Sequence, residues 1–403
     1  MGIGKYSGEL ALWLGKQGHQ VRVITAQPYF PSWSLGNGNK NVKNRYSFER
    51  LLGVEVRRCP LWVPRRPSGL TRLVHLASFA ITSLPVLLAQ RRRRPDVVIT
   101  VAPAFFCAPG ALLLQRLCGR GCKGWLHIQD FELDAAFELG MLKGQWLRGL
   151  AEGWERRTLQ KFDRVSTISA AMVQRAQQKG VQARRTVVLP NWVDLEAIQP
   201  QGPEAAAANP YRRELGVPAG AVVLQYSGSM NKKQGLELLV AVIQQLGDGP
   251  NLLWLLAGEG PTKAALAEAT AGLAQVRLLP LQPVERMDDW LNLADVHLIP
   301  QKAGAADVVL PSKLLGILAS GRPVVASSPA GSELGDLAEQ AGLRVDPEDP
   351  IAFAAAVRRL VDDGELRSQL GRRARQLAVE RFGQEAVLRT LEGELEALVA
   401  PRG

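Results

Sequence analysis

The sequence predicts an α/β protein of two Rossmann-like domains, and three observations predict it. Short apolar runs of strand length alternate with helix-length segments along nearly the whole chain, the pattern of parallel sheets with crossover helices. That alternation is interrupted once, by a stretch rich in Gln, Pro and Ala at 199–210. Length agrees: 403 residues make two to three domains at roughly 150 residues each. With 46% apolar and 22% charged residues, a disordered, collagenous or coiled-coil chain is excluded.

In the first half the runs at 20–26, 54–59, 96–101, 124–128, 164–168 and 186–189 read as strands, with helices at 6–16, 104–117 and 145–160 among them. The chain opens on Met1-Gly2-Ile3-Gly4-Lys5-Tyr6-Ser7-Gly8, a glycine-rich loop running into an amphipathic helix. Such a loop normally follows a strand. The central first strand of this domain is therefore expected to be missing, or to lie upstream of Met1. A second series of strands is read at 221–226, 252–257, 275–279, 296–300, 323–326 and 343–345, and 351–399 is helical by period. Ligands in such sheets sit beyond the carboxyl ends of the strands.

Charge divides the chain. Up to Leu195 there are 29 basic against 12 acidic residues, a balance of +17, whereas the remainder carries −6. A first half this basic makes nucleic acid or an anionic membrane surface a candidate partner. Four cysteines, Cys59, Cys107, Cys118 and Cys122, are too few for a disulfide framework and no signal peptide is read, so a reducing cytoplasm is expected. Cys118 and Cys122 lack the second pair that a zinc site needs and are read as ordinary thiols. The longest apolar stretch, 73–89, is closed by Arg91 to Arg94. It reads as a buried helix or as a surface that dips into a membrane interface; at 17 residues a true span is at its lower limit.

Three loops of the second half suit a phosphate or nucleotide. In Tyr226-Ser-Gly228-Ser-Met-Asn-Lys232-Lys233-Gln234-Gly235, glycines allow close backbone approach and lysines supply charge. Gly258-Glu259-Gly260 turns the chain after an apolar strand. In Leu310-Pro-Ser312-Lys313, Ser312 is expected to cap a helix whose first turn holds Lys313. A lysine opposes the helix dipole there, so an anionic ligand accounts for it. In the first half, His127 and Asp130 follow one another at a strand end and are candidate catalytic groups.

Taken together, these loops resemble a retaining glycosyltransferase of family 4, with the two-Rossmann (GT-B) architecture. The resemblance covers almost the whole chain: the Gly-Ile-Gly-Lys-Tyr-Ser-Gly opening, Gly18 to Thr25, Pro190-Asn191-Trp-Val-Asp194, Gly258-Glu-Gly260 and Leu318 to Ala326. Gln129-Asp130, Lys233 to Glu237 and Leu310 to Lys313 are similar to the colanic-acid branch, whose members build exopolysaccharide repeat units. It implies an acceptor domain at 1–195, a nucleotide-sugar domain at 196–385 facing it across a cleft, and a C-terminal helix at 386–403 returning to the first domain. It also implies a nucleotide-diphosphate sugar as donor and a lipid-linked or saccharide acceptor, with no cofactor. Lys232 or Lys233 and Lys313 match diphosphate-binding places, Gly258 and Glu259 line the nucleotide pocket, and His127 touches the donor sugar. Gly2 and Gly4 bring backbone amides near the donor phosphate.

The chain also departs from the family. Ser229 and Gln234 stand where the glycine loop usually has Arg and Lys, and Val308 and Gly316 replace the Glu-x7-Glu pair. Lysines 232, 233 and 313 are candidates to supply the lost charge. Fixed cations and helix N-termini stabilise a diphosphate leaving group without a metal, and no Asp-x-Asp signature calls for one. Asp130 is a candidate base or acceptor-positioning group, the leaving phosphate being the other group able to take the proton. The implied reaction moves a hexose, fucose or mannose, at the inner face of the cell membrane. A nucleotide-sugar epimerase of similar fold and a non-catalytic binding or assembly protein remain alternatives. Nucleic acid is set aside because no recognised module or aromatic-interleaved basic stretch is present, and the basic first half then fits anionic lipid.

Overall fold

A computed structural model describes residues 3–29, 33–38, 42–65, 69–131, 145–247, 251–302 and 310–400. It divides into two compact units, Met1–Pro190 with Leu388–Gly403, and Asn191–Val387. In the first unit, helix α1 (Ile3–Lys16) is followed by β1 (Arg22–Ala26), β2 (Ser47–Leu51) and β3 (Val54–Cys59). Helix α2 (Gly69–Leu88) leads to β4 (Val97–Ala102), α3 (Ala108–Cys118), β5 (Lys123–Ile128), β6 (Arg164–Thr167) and β7 (Thr186–Val188). Among the described residues no strand precedes α1.

The strands of this unit form two sheets, ordered β1-β3-β2 and β4-β5-β6-β7. All pairs are parallel except β2 with β3. That hairpin is absent from the sequence reading. Ser47–Leu51 is exposed at four of five positions and so carries no apolar alternation. Its turn is Leu52-Gly53, both at positive φ (47° and 89°), the pair of conformations that suits a two-residue hairpin.

The second unit holds one parallel sheet in the order β10-β9-β8-β11-β12-β13. Its strands are β8 (Val222–Ser227), β9 (Leu252–Ala257), β10 (Val276–Leu279), β11 (Val296–Pro300), β12 (Val324–Ser327) and β13 (Gly342–Val345). Leu224, Tyr226, Trp254 and Leu256 pack into one core, whereas Val223, Leu253 and Leu255 face a second with Trp290. Both faces are covered, which is why these strands read as continuous apolar runs. The Gln, Pro and Ala-rich stretch belongs to this unit. It forms two short helices, Pro203–Ala207 and Pro210–Glu214. It is tied down where the Gln199 and Gln201 amides donate to Asp288 and Asn292. All four cysteines are free thiols.

The apolar segment at 73–89 forms most of α2, and it is not a buried helix. One side packs on α3, β1 and β3, while Val74 and Ile81 are 55% and 71% exposed on the other. By length and composition the run Thr71–Arg93 is apolar enough to cross a membrane, with mean hydropathy 1.6. Polar ties hold it to the segment after β3: His75 Nδ1 donates to the Trp62 carbonyl at 2.6 Å, the Trp62 amide to Ser78 Oγ and Thr82 Oγ1 to the Pro60 carbonyl.

Candidate active site

At the carboxyl ends of β8 and β9 two loops are zipped together by their backbones. The Gly228 amide donates to the Ala257 carbonyl at 3.0 Å, the Met230 amide to the Glu259 carbonyl at 2.8 Å, and the Thr262 amide to the Met230 carbonyl at 3.1 Å. Only glycine permits this approach. A Cβ on Gly258 would stand 2.0 Å from the Gly228 carbonyl oxygen, and Gly228 itself has φ +147°.

Into this fold of backbone comes Lys313, the first residue of the helix Lys313–Ala319. Its Nζ donates to Gln234 Oε1 at 2.7 Å and lies 4.2 Å from the centre of the Tyr226 ring. The Tyr226 hydroxyl donates in turn to the Ser229 carbonyl at 2.6 Å. Among the described residues no carboxylate pairs with Lys313. Loss of water around the ammonium pushes its pKa down to about 7. Its described partners are thus a neutral amide and a ring face.

The other expected donor groups are placed less centrally. Lys232 and Lys233 are exposed in the turn Lys232–Gln234, which Asn231 caps. Glu259 is exposed and ion-pairs with Lys263 at 2.7 Å. Ser312 does not cap its helix: it sits in the right-handed helical region at φ −57° and its side chain makes no capping hydrogen bond, so the expected cap is corrected. Gly4 is exposed in the first turn of α1, and Gly2 lies outside the described residues, as does Val308.

In the first unit, His127 at the end of β5 is buried inside a polar chain. Trp125 Nε1 donates to Ser166 Oγ at 2.8 Å, His127 Nδ1 meets the same oxygen at 2.8 Å, and the Gln129 amide nitrogen donates to His127 Nε2 at 2.9 Å. An acceptor Nε2 places the ring proton on Nδ1. Burial holds the pKa down to about 4, so the imidazole is neutral at physiological pH. Both ring nitrogens thus have partners within the protein, which the spacing of His127 and Asp130 did not reveal. Asp130 is half-buried at the strand end. Gln129, Ser166, Gln234 and Tyr226 were not singled out from the sequence as site residues. Gln234 carried the one usable signal, since it occupies the loop position where family members have lysine.

The description "Glycosyl transferase 4-like domain" matches residues 1–192, and "Glycosyl transferases group 1" matches 221–363. The colanic acid biosynthesis glycosyl transferase WcaI of Escherichia coli K12 is 41% identical over 397 residues, 96% of this chain and 94% of that protein. The chain belongs to glycosyltransferase family 4. Solved relatives share its GT-B fold. Sucrose-phosphate synthase of Thermosynechococcus elongatus superposes with TM-score 0.73 at 19% identity, covering 99% of this chain and 94% of that one. Anabaena HepE in complex with UDP-glucose superposes with TM-score 0.66 at 15% identity, over 94% of this glycosyltransferase and all of that chain.

Proposed function

We propose that this glycosyltransferase moves a hexose, fucose or mannose, from a nucleoside-diphosphate sugar to a lipid-linked or oligosaccharide acceptor in exopolysaccharide biosynthesis, with retention of configuration. The name of the WcaI relative supports the polysaccharide, and the UDP-glucose held by HepE supports the donor class. The observation that carries the reading is Lys313. Its ammonium, without a carboxylate partner among the described residues, sits among Gly228, Tyr226 and Gln234, where a diphosphate would complete the charge balance. Lys313 thereby supplies the cation that the loop lost at Gln234, while Lys232 and Lys233 add field from the surface. In this reading Gly258 and Glu259 are assigned to the nucleotide, Gly2 and Gly4 to the donor phosphate, Ser312 to the flank of Lys313, and Asp130 to orienting the acceptor or taking its proton. His127 is assigned to the donor sugar, a role that requires its Nε2 to exchange the Gln129 amide for a sugar hydroxyl. The cation is a side chain, so transfer persists in excess EDTA.

Lys313→Ala should lower turnover at least tenfold, about 1.4 kcal/mol or more on the barrier. Steady-state kinetics with GDP- and UDP-hexoses check this, and a wild-type rate and donor affinity in the variant would sink the assignment.

In the first unit the same reading places the enzyme in the cytoplasm, peripheral at the inner face of the membrane. Helices α2 and α3 are neighbours, since a Cβ on Gly110 would stand 3.0 Å from Leu84. Val74 and Ile81 are exposed on α2 and Leu113 and Leu117 on α3, with Arg72, Arg91 to Arg94 and Arg116 exposed around them. An apolar face with a basic margin suits an anionic lipid surface.

A further inference from the structure

Beyond the donor loops, a cluster of rings lies in the first unit, after β1 and on α2. Strands β1 and β3 run parallel, so the segments after them emerge at the same end of their sheet, the end where such sheets receive ligands. Tyr29 and Trp33 follow β1, and Trp62 follows β3. Between the first two stands His75 of α2, with ring centres 4.6 Å from Tyr29 and 5.5 Å from Trp33; Tyr29 and Trp33 are 5.7 Å apart.

Three features mark this cluster as built for an occupant. Trp33 is held at φ +50°, a left-handed conformation that disfavours a bulky side chain and is retained where the surroundings impose it, commonly at ligand sites. His75 is buried and bonded through Nδ1 to the Trp62 carbonyl, which fixes the orientation of its ring, and burial lowers its pKa. Trp62 is 45% exposed although two hydrogen bonds, from its amide to Ser78 and to its carbonyl from His75, anchor its backbone. Rigid, partly exposed rings present negative faces to positively polarised C–H groups, and the C–H faces of a pyranose are such groups.

We propose that Tyr29 and Trp33, braced by His75, which the Trp62 carbonyl holds in place, form a stacking platform for a pyranose ring of the saccharide acceptor. This rests on the transferase reading above and names the substrate class at its acceptor side. The platform sets which sugar is presented, and it takes no part in holding the donor.

The test uses the full chain and a panel of methyl glycosides of glucose, galactose, fucose and glucuronic acid. Saturation-transfer NMR should show at least one glycoside receiving magnetisation, with the Trp33 indole resonance shifting on titration. Trp33→Gly removes the ring yet suits the positive φ, so it should weaken that glycoside at least tenfold with an unchanged or higher Tm and unchanged nucleotide-sugar binding. The proposal is overturned if no glycoside perturbs these rings, if Trp33→Gly binds as wild type, or if its Tm falls, which would make the ring a packing element. Hydrolysis of the nucleotide sugar without acceptor reads the donor site separately. Loss of that activity with glycoside binding intact would refute the transferase reading and leave the platform standing.

Discussion

In the proposed reaction the ammonium of Lys313 is the titratable group at the donor. Burial lowers its pKa to about 7 because the charged form has lost water and no described carboxylate compensates for it. An anionic donor favours the charged form and raises that pKa on binding. Donor affinity should therefore be flat below about pH 7 and weaken above it, by up to roughly tenfold per pH unit while the free site is deprotonated and the bound one is not. Calorimetry in buffers of different ionisation enthalpy at pH 8 should register proton uptake. In Lys313→Ala both the slope and the uptake should vanish, and their persistence would move the effect to another group.

At the scale of elements, loop positions are decided by backbone clearance. The 2.0 Å approach to the Gly228 carbonyl leaves no relaxation for Gly258→Ala that keeps the β8 and β9 loops joined. The expected loss is on the order of 3 kcal/mol in stability, with donor binding lost in the surviving fold; chemical denaturation with nucleotide titration measures both. Helix α2 makes the opposite case, an element defined by what it leaves uncovered. Ile81→Asp should release the protein from anionic vesicles in flotation while leaving its Tm within about 1 °C, because a surface change there removes little packing. Binding that ignores the lipid's charge and the salt concentration would end the membrane assignment.

At the scale of the whole molecule, each unit buries a neutral histidine. His127 in the first and His297 in the second both have pKa values pushed down to about 4, by burial in each case. The unfolded chain binds a proton on each near pH 6.5, so between about pH 6.5 and 4 it holds more protons than the native state, and stability falls as pH falls. Each histidine contributes on the order of 3 kcal/mol to that loss. Thermal melts from pH 7 to 4.5 should show both units weakening, and His297→Gln should spare the second unit selectively.

The alternation of apolar runs was enough to read the α/β class and nearly every parallel strand, because a strand covered on both faces leaves a continuous hydrophobic signature in one dimension. Gly258 and Lys313 were legible too, as types of residue whose local cost asks for a reason. The hairpin at β2 was not, since its five residues are held by pairing rather than by burial. Nor was the pairing of Lys313 with Gln234 across 79 positions, the engagement of both His127 nitrogens, or the exposure of α2. Those depend on which surfaces meet when helices and loops close over a sheet, a property of distance in space. Sequence by itself determined the family and the parallel strands, whose burial on both faces is written as apolar runs; the tertiary structure decided how the strands divide into sheets and which of the three lysines is desolvated.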